Sequence, residues 1–144
     1  MVKAEDFWNY LCIDKDYRFF TGVACPGLAP LYKKMNAEIM HYIPAANERI
    51  ALGLVSGAHT AGLKGALLMD MRFAYDLTNV FGFNIDYKIP FLIIGYGDKD
   101  SYLAYDFPRA VITSDNFKKK TNTVIKQVEN EKVPGAIIIT GGVL

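Results

Sequence analysis

The stretch that decides the fold is residues 41–71, HYIPAANERIALGLVSGAHTAGLKGALLMDM. It predicts a strand, a helix, a tight turn at Gly62–Gly65 and a short buried strand. Asn47 stands where a helix N-cap is expected, because its side-chain oxygen can accept a hydrogen bond from a free amide of the first turn. Glu48 follows inside that turn, where the helix dipole favours a negative charge. The stretch is therefore a strand–helix–strand unit with a carboxylate at the start of its helix.

The predicted helix contains two interior glycines, Gly53 and Gly57. Each costs about 1 kcal/mol of helix stability relative to alanine. Such a cost needs an offset, and the one we expect is the close approach of another backbone or of a ligand.

Strands and helices alternate along the rest of the chain. The further predicted strands are residues 17–24, 66–69, 90–95, 109–113 and 133–140. The further predicted helices are residues 4–13, 28–35, 73–85 and 114–132, the last capped by Ser114, and residues 97–106 are a predicted loop. This alternation predicts an α/β fold: a doubly wound, mainly parallel sheet with helices on both faces. At 144 residues the chain is expected to form a single domain, 1–144.

Composition excludes several functional classes. The net charge is +1, so no overall field favours nucleic acid or a membrane surface. The apolar runs are shorter than the ~20 residues of a membrane span. Two cysteines, Cys12 and Cys25, fit a reduced protein better than a disulfide framework. No N-terminal signal pattern is visible, and we expect a cytoplasmic protein.

Several motifs do not support a cofactor or metal. The run GAHTAGLKG at residues 57–65 lacks the Lys-Ser/Thr pair of a phosphate loop and falls at the end of a helix. His41 and His59 have no neighbouring ligands at metal-site spacing, so no metal site is expected in this chain.

In doubly wound sheets, ligands bind beyond the carboxyl ends of the strands. Glu48 is the first candidate for chemistry there. Cys25 precedes a predicted helix, which would lower the pKa of its thiol, although a small buried residue is the simpler interpretation. Aromatic residues crowd the region after the third strand and either fill the core or form a subunit contact: Phe73, Tyr75, Phe81, Phe83 and Tyr87.

Three stretches resemble one family: FFTGVACPGLAPLYKKM (19–35), HYIPAANERIALGLVSGAHTAGLKGALLM (41–69) and YKIPFLIIGYG (87–97). They are similar to the pyrimidine-binding domain of thiamine diphosphate-dependent decarboxylases, in particular the phosphonopyruvate and sulfopyruvate decarboxylase group. The Asn47-Glu48-Arg49 element is the most specific part of the resemblance.

The resemblance implies roles for particular residues. Glu48 would be catalytic, contacting N1′ of the aminopyrimidine and so promoting loss of the thiazolium C2 proton. Asn47, Cys25 and Phe73 would surround the cofactor with Glu48. Arg72 belongs to a segment that departs from the family pattern: it would either bind an anionic group of a small 2-oxo acid substrate or be an ordinary surface arginine.

The resemblance also implies a partner. In the sulfopyruvate enzyme the pyrimidine half is the alpha chain, and a beta chain binds the diphosphate. This sequence has no Gly-Asp-Gly, so Mg²⁺ and the diphosphate would be held by a separate beta subunit. We therefore expect a hetero-oligomer that also has contacts between alpha chains, with the cofactor shared at the interface.

Two departures from the family pattern leave a second interpretation open. The proline of the first loop is displaced in Val23-Ala24-Cys25-Pro26, and the segment Met71-Arg72-Phe73 is bulkier and more cationic than its counterpart. The chain is interpreted first as the alpha subunit of a lyase, a 2-oxo acid decarboxylase active only with its partner. The alternative is a non-catalytic relative that serves as a binding or assembly module.

Overall fold

The computed structural model describes residues 2–97 and 106–141. Within them lies one six-stranded sheet in which every neighbouring pair is parallel, in the order β2-β1-β3-β4-β6-β5. The strands are β1 (Tyr17–Gly22), β2 (His41–Pro44), β3 (Lys64–Asp70), β4 (Leu92–Tyr96), β5 (Arg109–Ile112) and β6 (Gly135–Ile139). The predicted doubly wound parallel fold is confirmed. The predicted loop 97–106 lies largely outside the described residues.

Five α-helices flank the sheet in the described part of the chain. They are α1 (Ala4–Asn9), α2 (Ala29–Lys33), α3 (Glu48–Thr60), α4 (Thr78–Asp86) and α5 (Phe117–Glu131). The buried residues form two clusters, one for each face of the sheet. One cluster joins the sheet to α1, α2 and α5, and the other joins it to α3 and α4. The central strands read as apolar runs because both of their faces are covered.

Packing at the sheet centre depends on one glycine. Gly22, at the end of β1, has φ +151°, and a Cβ there would lie 2.1 Å from the carbonyl oxygen of Leu68 on β3. Only glycine fits at this distance. It lets the end of β1 approach β3 closely, and beyond these two strands the chain continues to opposite faces of the sheet.

Some element boundaries differ from the predictions. The first helix continues past Asn9 as a π-helical turn, Tyr10–Asp14. The predicted helix 73–85 is divided into two 3-10 turns, Met71–Phe73 and Tyr75–Leu77, followed by α4. Ser114 does not cap α5, since the residue before that helix is Asn116.

Candidate functional site

The loops that follow β1, β2 and β3 lie at the same edge of the sheet, because the three strands are parallel neighbours. They carry Cys25, the Asn47–Glu48 pair and the segment from Asp70 to Phe73, respectively. The strand order changes direction around β1, which is where ligands bind in sheets of this kind. All the predicted site residues therefore belong to one edge.

Asn47 fixes the start of α3. Its backbone is extended, with φ −156° and ψ 172°, and its Oδ1 accepts a hydrogen bond from the Ile50 N–H at 3.0 Å. The first backbone bond of the helix runs from the Ala51 N–H to the Asn47 carbonyl at 3.1 Å. The predicted N-cap is thereby confirmed, and Glu48 becomes the first residue of the helix.

Glu48 is half-buried and lines a cleft of about 170 Å³ between the start of α3 and the turns that precede α4. The cleft is lined by Asn47, Glu48, Arg49, Phe73, Asp76 and Leu77. Phe73 is 46% exposed and offers an aromatic ring to the cleft, while Leu77 is buried beneath it. The site thus combines a carboxylate, an aromatic wall and a capped helix N-terminus.

Arg49 links the two walls of the cleft. Its Nη2 donates to the carbonyl oxygen of Asp76 at 3.4 Å, between α3 and the turn before α4. Sequence reasoning missed Arg49, Asp76 and Leu77 as cleft residues. Arg49 was detectable from its position beside Glu48 in the first helical turn, whereas nothing local in the sequence brings residues 76 and 77 to this place.

Arg72 lies in the 3-10 turn after β3 and is not one of the residues that line the cleft. Its Nη2 donates to Asp70 Oδ2 at 2.7 Å and its Nε to Oδ1 at 3.1 Å. The Arg72 guanidinium holds the pKa of the Asp70 carboxyl below its usual value. The cation predicted to bind substrate is therefore already engaged by a carboxylate of its own chain, and its substrate role stays a prediction.

Cys25 packs with the core cluster on the α1, α2 and α5 side of the sheet and does not line the cleft. Burial raises the pKa of its thiol, more than the N–H groups of Gly27 and Leu28 lower it. The simpler interpretation of Cys25 as a small buried residue is confirmed, and the alternative of a lowered pKa is wrong, because desolvation outweighs the turn amides at this helix start. Asp70 and Arg72 also act on this thiol, so the loops after β1 and β3 do converge.

Asn47, Glu48 and Phe73 are thus brought together, whereas Cys25 and Arg72 lie to one side of the cleft. Within residues 2–97 and 106–141, no group of three or more His, Cys, Asp or Glu side chains is placed to hold a metal ion. Across the same residues, none of the helices has both the length and the apolar character that crossing a membrane requires.

The fold of the chain is similar to that of a solved enzyme structure. It matches a chain of 2-oxoglutarate:ferredoxin oxidoreductase from Magnetococcus marinus, solved with 2-oxoglutarate, coenzyme A and succinyl-CoA bound, at a TM-score of 0.72. The match covers 99% of this chain and 29% of that one at 15% sequence identity, and so shows a shared fold. No protein-family model matches the chain.

A comparison of sequences gives a more specific similarity than the fold does. The chain is 35% identical over 85 residues to sulfopyruvate decarboxylase subunit alpha from Methanococcus maripaludis, across 57% of this chain. The match spans 50% of that relative's length. The resemblance to the alpha subunit of the thiamine diphosphate-dependent sulfopyruvate decarboxylase group, predicted from the residues alone, is confirmed.

Proposed function

We propose that this chain is the alpha subunit of a heteromeric thiamine diphosphate-dependent 2-oxo acid decarboxylase. The observation that carries the proposal is Glu48, a half-buried carboxylate fixed at the first turn of α3 in a cleft with an aromatic wall. The likeness to the sulfopyruvate decarboxylase alpha subunit supports it.

The size of the cleft fits part of the cofactor. An apolar cavity of roughly 150 Å³ accommodates benzene, so a cleft of about 170 Å³ admits one substituted six-membered ring. An aminopyrimidine is such a ring, and Phe73 offers it a stacking surface. The remainder of thiamine diphosphate is too large for this cleft and would lie against another chain.

Glu48 would favour the protonation state of the pyrimidine that the chemistry requires. When bound, thiamine diphosphate supplies the carbanion-stabilising centre that decarboxylation of a 2-oxo acid needs. The carboxylate of Glu48 would accept a hydrogen bond from the pyrimidine N1′ and so favour a proton at that nitrogen. Because Glu48 is already half-buried, closure by a partner would exclude the remaining water and strengthen this hydrogen bond.

The diphosphate and Mg²⁺ belong to the proposed beta subunit. The described residues gather no cation-binding cluster, and the sequence contains no Gly-Asp-Gly. The beta subunit would therefore contribute the metal ligands, and this chain would contribute the pyrimidine end of a shared site. We also propose a cytoplasmic location, to which two free, buried thiols are suited.

We propose a 2-oxo acid with a second anionic group as the substrate. Sulfopyruvate and 2-oxoglutarate, which appear in the names of the relative and the structural neighbour, both have this character. Arg72 is our candidate for the second anion, at the rim next to the convergent β1 and β3 loops. Asp70 would fix the direction of the guanidinium through its two hydrogen bonds.

The test is reconstitution with a beta-type chain that contains Gly-Asp-Gly and a downstream Asn, followed by assay of CO₂ release from sulfopyruvate, phosphonopyruvate and 2-oxoglutarate. We expect Glu48→Gln to lower kcat by about 10²–10⁴-fold, the range for a positioned proton-transfer group, with little change in thiamine diphosphate affinity. Glu38→Gln, at an exposed turn, is the matched control and should keep wild-type turnover. Equal turnover in Glu48→Gln would remove this residue from the mechanism.

The Arg72–Asp70 pair favours one alternative, a non-catalytic binding or assembly module. An arginine neutralised by its own carboxylate attracts a substrate anion less strongly than an unpaired one would. That alternative predicts that the reconstituted complex binds thiamine diphosphate in calorimetry and yet releases no CO₂ from any of the three acids.

A further inference from the structure

A second hollow lies at the amino edge of the sheet, at the end opposite the Glu48 cleft. Its volume is about 40 Å³, and its walls come from the starts of β1 and β3, the end of α3, the residues before β4 and the last turns of α5. Because α3 and α5 cover opposite faces of the sheet, the hollow lies where the two helical layers meet around this edge. A molecule bound there would contact both layers.

The inner wall of the hollow is buried. Tyr17, Phe91 and Val128 are 2%, 2% and 1% exposed, respectively. The Tyr17 hydroxyl makes no hydrogen bond with any described residue. In the same part of the chain, the fully enclosed side-chain polar atoms without a partner are those of Thr21 and Thr121, so the Tyr17 hydroxyl is not sealed in the core and opens into the hollow. Buried polar groups are nearly always hydrogen-bonded, and this hydroxyl is available to a molecule that enters.

An ion pair forms the mouth of the hollow. Lys64 Nζ and Glu129 Oε1 lie 2.6 Å apart, and the two side chains are 43% and 44% exposed. Lys64 also donates to the carbonyl oxygen of Lys15 at 3.2 Å, which fixes the position of its ammonium group. Two opposite charges this close together nearly cancel at the distance of a bound molecule. The ion pair therefore makes the hollow polar without favouring either an anion or a cation.

The hollow offers a bound molecule one acceptor and one donor. Glu129 Oε2 accepts no hydrogen bond from the described residues, because Lys64 bonds to Oε1. Tyr17 stays protonated, since burial raises the pKa of its hydroxyl and the charge of Glu129 raises it further. Its hydroxyl can therefore donate. A primary carboxamide is the complement of this pair, because it has an N–H donor and a carbonyl acceptor on one small uncharged group.

The volume of the hollow limits the size of what it can hold. A cavity needs roughly 10–15 Å³ for each water molecule, so 40 Å³ corresponds to about three waters. Acetamide is a molecule of about this size, and its methyl group would meet the apolar side chains of Phe91 and Val128.

We propose that this hollow is a binding site for a small neutral amide. The NH₂ group of the amide donates to Glu129 Oε2, and its carbonyl oxygen accepts from the Tyr17 hydroxyl. The bound amide joins α5 to the start of β1, so its binding also raises the stability of the fold. The site does not depend on the proposed decarboxylase, because it lies at the other end of the strands.

The test is an NMR titration of the ¹⁵N-labelled chain with three compounds of one shape and different charge: acetamide, acetate and acetamidinium. The pH is 8, above the range in which imidazoles ordinarily titrate, because His59 also lines the hollow. We expect saturable shifts of the Tyr17, Lys64 and Glu129 amide signals with acetamide, and at least tenfold weaker binding of the two ions. Acetate has no N–H group for Glu129, and acetamidinium has no acceptor for Tyr17.

Two variants identify the groups that bind. Tyr17→Phe removes only a hydroxyl that bonds no described residue, so it should fold as the wild type does and yet raise the Kd for acetamide at least tenfold. Tyr75→Phe is the matched control, because Tyr75 is 68% exposed and lies in the turn before α4, at the carboxyl edge. Glu129→Gln leaves the charge of Lys64 unbalanced and should strengthen acetate binding relative to acetamide.

Circular dichroism establishes that each variant is folded before its affinity is compared. Very small ligands bind weakly, so the titration extends to about 0.5 M. Shifts that grow linearly with acetamide over this range would overturn the proposal, since the hollow would then hold water only. So would tighter binding of acetate or acetamidinium to the wild type, or a Kd for acetamide that Tyr17→Phe leaves unchanged.

Discussion

The side-chain amide of Asn84, which is 1% exposed, donates a hydrogen bond of 2.9 Å to the hydroxyl of Ser56. Ser56 in turn donates to the Leu52 carbonyl within α3 at 2.8 Å, and Asn84 also donates to the Ile89 carbonyl at 3.3 Å. This short network fixes α4 against α3. Because the same two helices begin at the walls of the Glu48 cleft, it also fixes the cleft.

Removal of the Asn84 amide should destabilise the chain. Asn84→Ala removes the partner of the part-buried Ile89 carbonyl and of the Ser56 hydroxyl and creates a small cavity, so we expect a loss of about 2–3 kcal/mol in the free energy of unfolding. Ser56→Ala, which removes the acceptor for Asn84 and the donor to the Leu52 carbonyl, should cost about 1 kcal/mol. Urea unfolding of both single variants and of the double variant measures the coupling energy. Strict additivity would show that the hydrogen bond between them contributes nothing.

The N-cap of α3 gives a second prediction. Asn47→Ala removes the acceptor for the Ile50 N–H and should lower the free energy of unfolding by about 1 kcal/mol. Asn47→Asp keeps an oxygen at the same place and should retain nearly all of the stability. If the alanine variant unfolds at the same urea concentration as the wild type, the cap does not determine where α3 begins.

The Asp70–Arg72 pair predicts a specific dependence on pH. Arg72 lowers the pKa of Asp70 in the folded state below the usual 3.8, so the stability that this carboxylate contributes is complete above the unfolded pKa. It is lost as the pH falls through the depressed folded value. The plot of unfolding free energy against pH should therefore fall less steeply below about pH 4 in Asp70→Asn than in the wild type.

A similar pair elsewhere in the chain provides the control for this measurement. Asp16 and Arg18 are also two positions apart and lie 3.1 Å from each other, but both side chains are well exposed. Such exposed pairs contribute little to stability. Below about pH 4, an Asp16→Asn variant should show the same dependence of unfolding free energy on pH as the wild type. An equal effect from both substitutions would show that the burial of Asp70 does not determine its contribution to stability.

The two cysteines should be slow to react. Burial raises the pKa of Cys12 to about 11 and raises that of Cys25 above its usual 9.0, so few thiolates exist at neutral pH. Alkylation by iodoacetamide at pH 7 should be at least tenfold slower than that of a cysteine peptide and should accelerate above pH 9. A Cys12→Ala variant isolates the rate of Cys25. A rate equal to that of the peptide at pH 7 would contradict the burial of both thiols.

The sequence predicted those features that depend on neighbouring residues. The N-cap at Asn47, the helix that follows it and the apolar central strands all have short-range signals, and all three are confirmed. The parallel sheet followed from the alternation of these elements. The cleft position of Glu48 and Phe73 also followed, because parallel strands bring successive loops to one edge.

Features that depend on distant parts of the chain were not predictable in this way. The burial of Cys25 was the simpler interpretation of the sequence, but the sequence does not show that this burial raises the thiol pKa by more than the turn amides lower it. Asn116, and not Ser114, precedes α5: its Oδ1 accepts a hydrogen bond from the Thr113 N–H, which closes a turn ahead of the helix, and the helix begins two residues later than predicted. Gly53 and Gly57 were correctly placed in a helix, but the described part of the chain leaves them uncovered.

The outermost strands of the sheet, β2 and β5, are only four residues long. A proline stands at one end of each: Pro44 is the last residue of β2, and Pro108 precedes β5. Prolines lack the N–H group that an added strand would need, and short edges offer few places for one to pair. The two borders of the sheet thus resist the indefinite strand-by-strand growth that leads to fibrils.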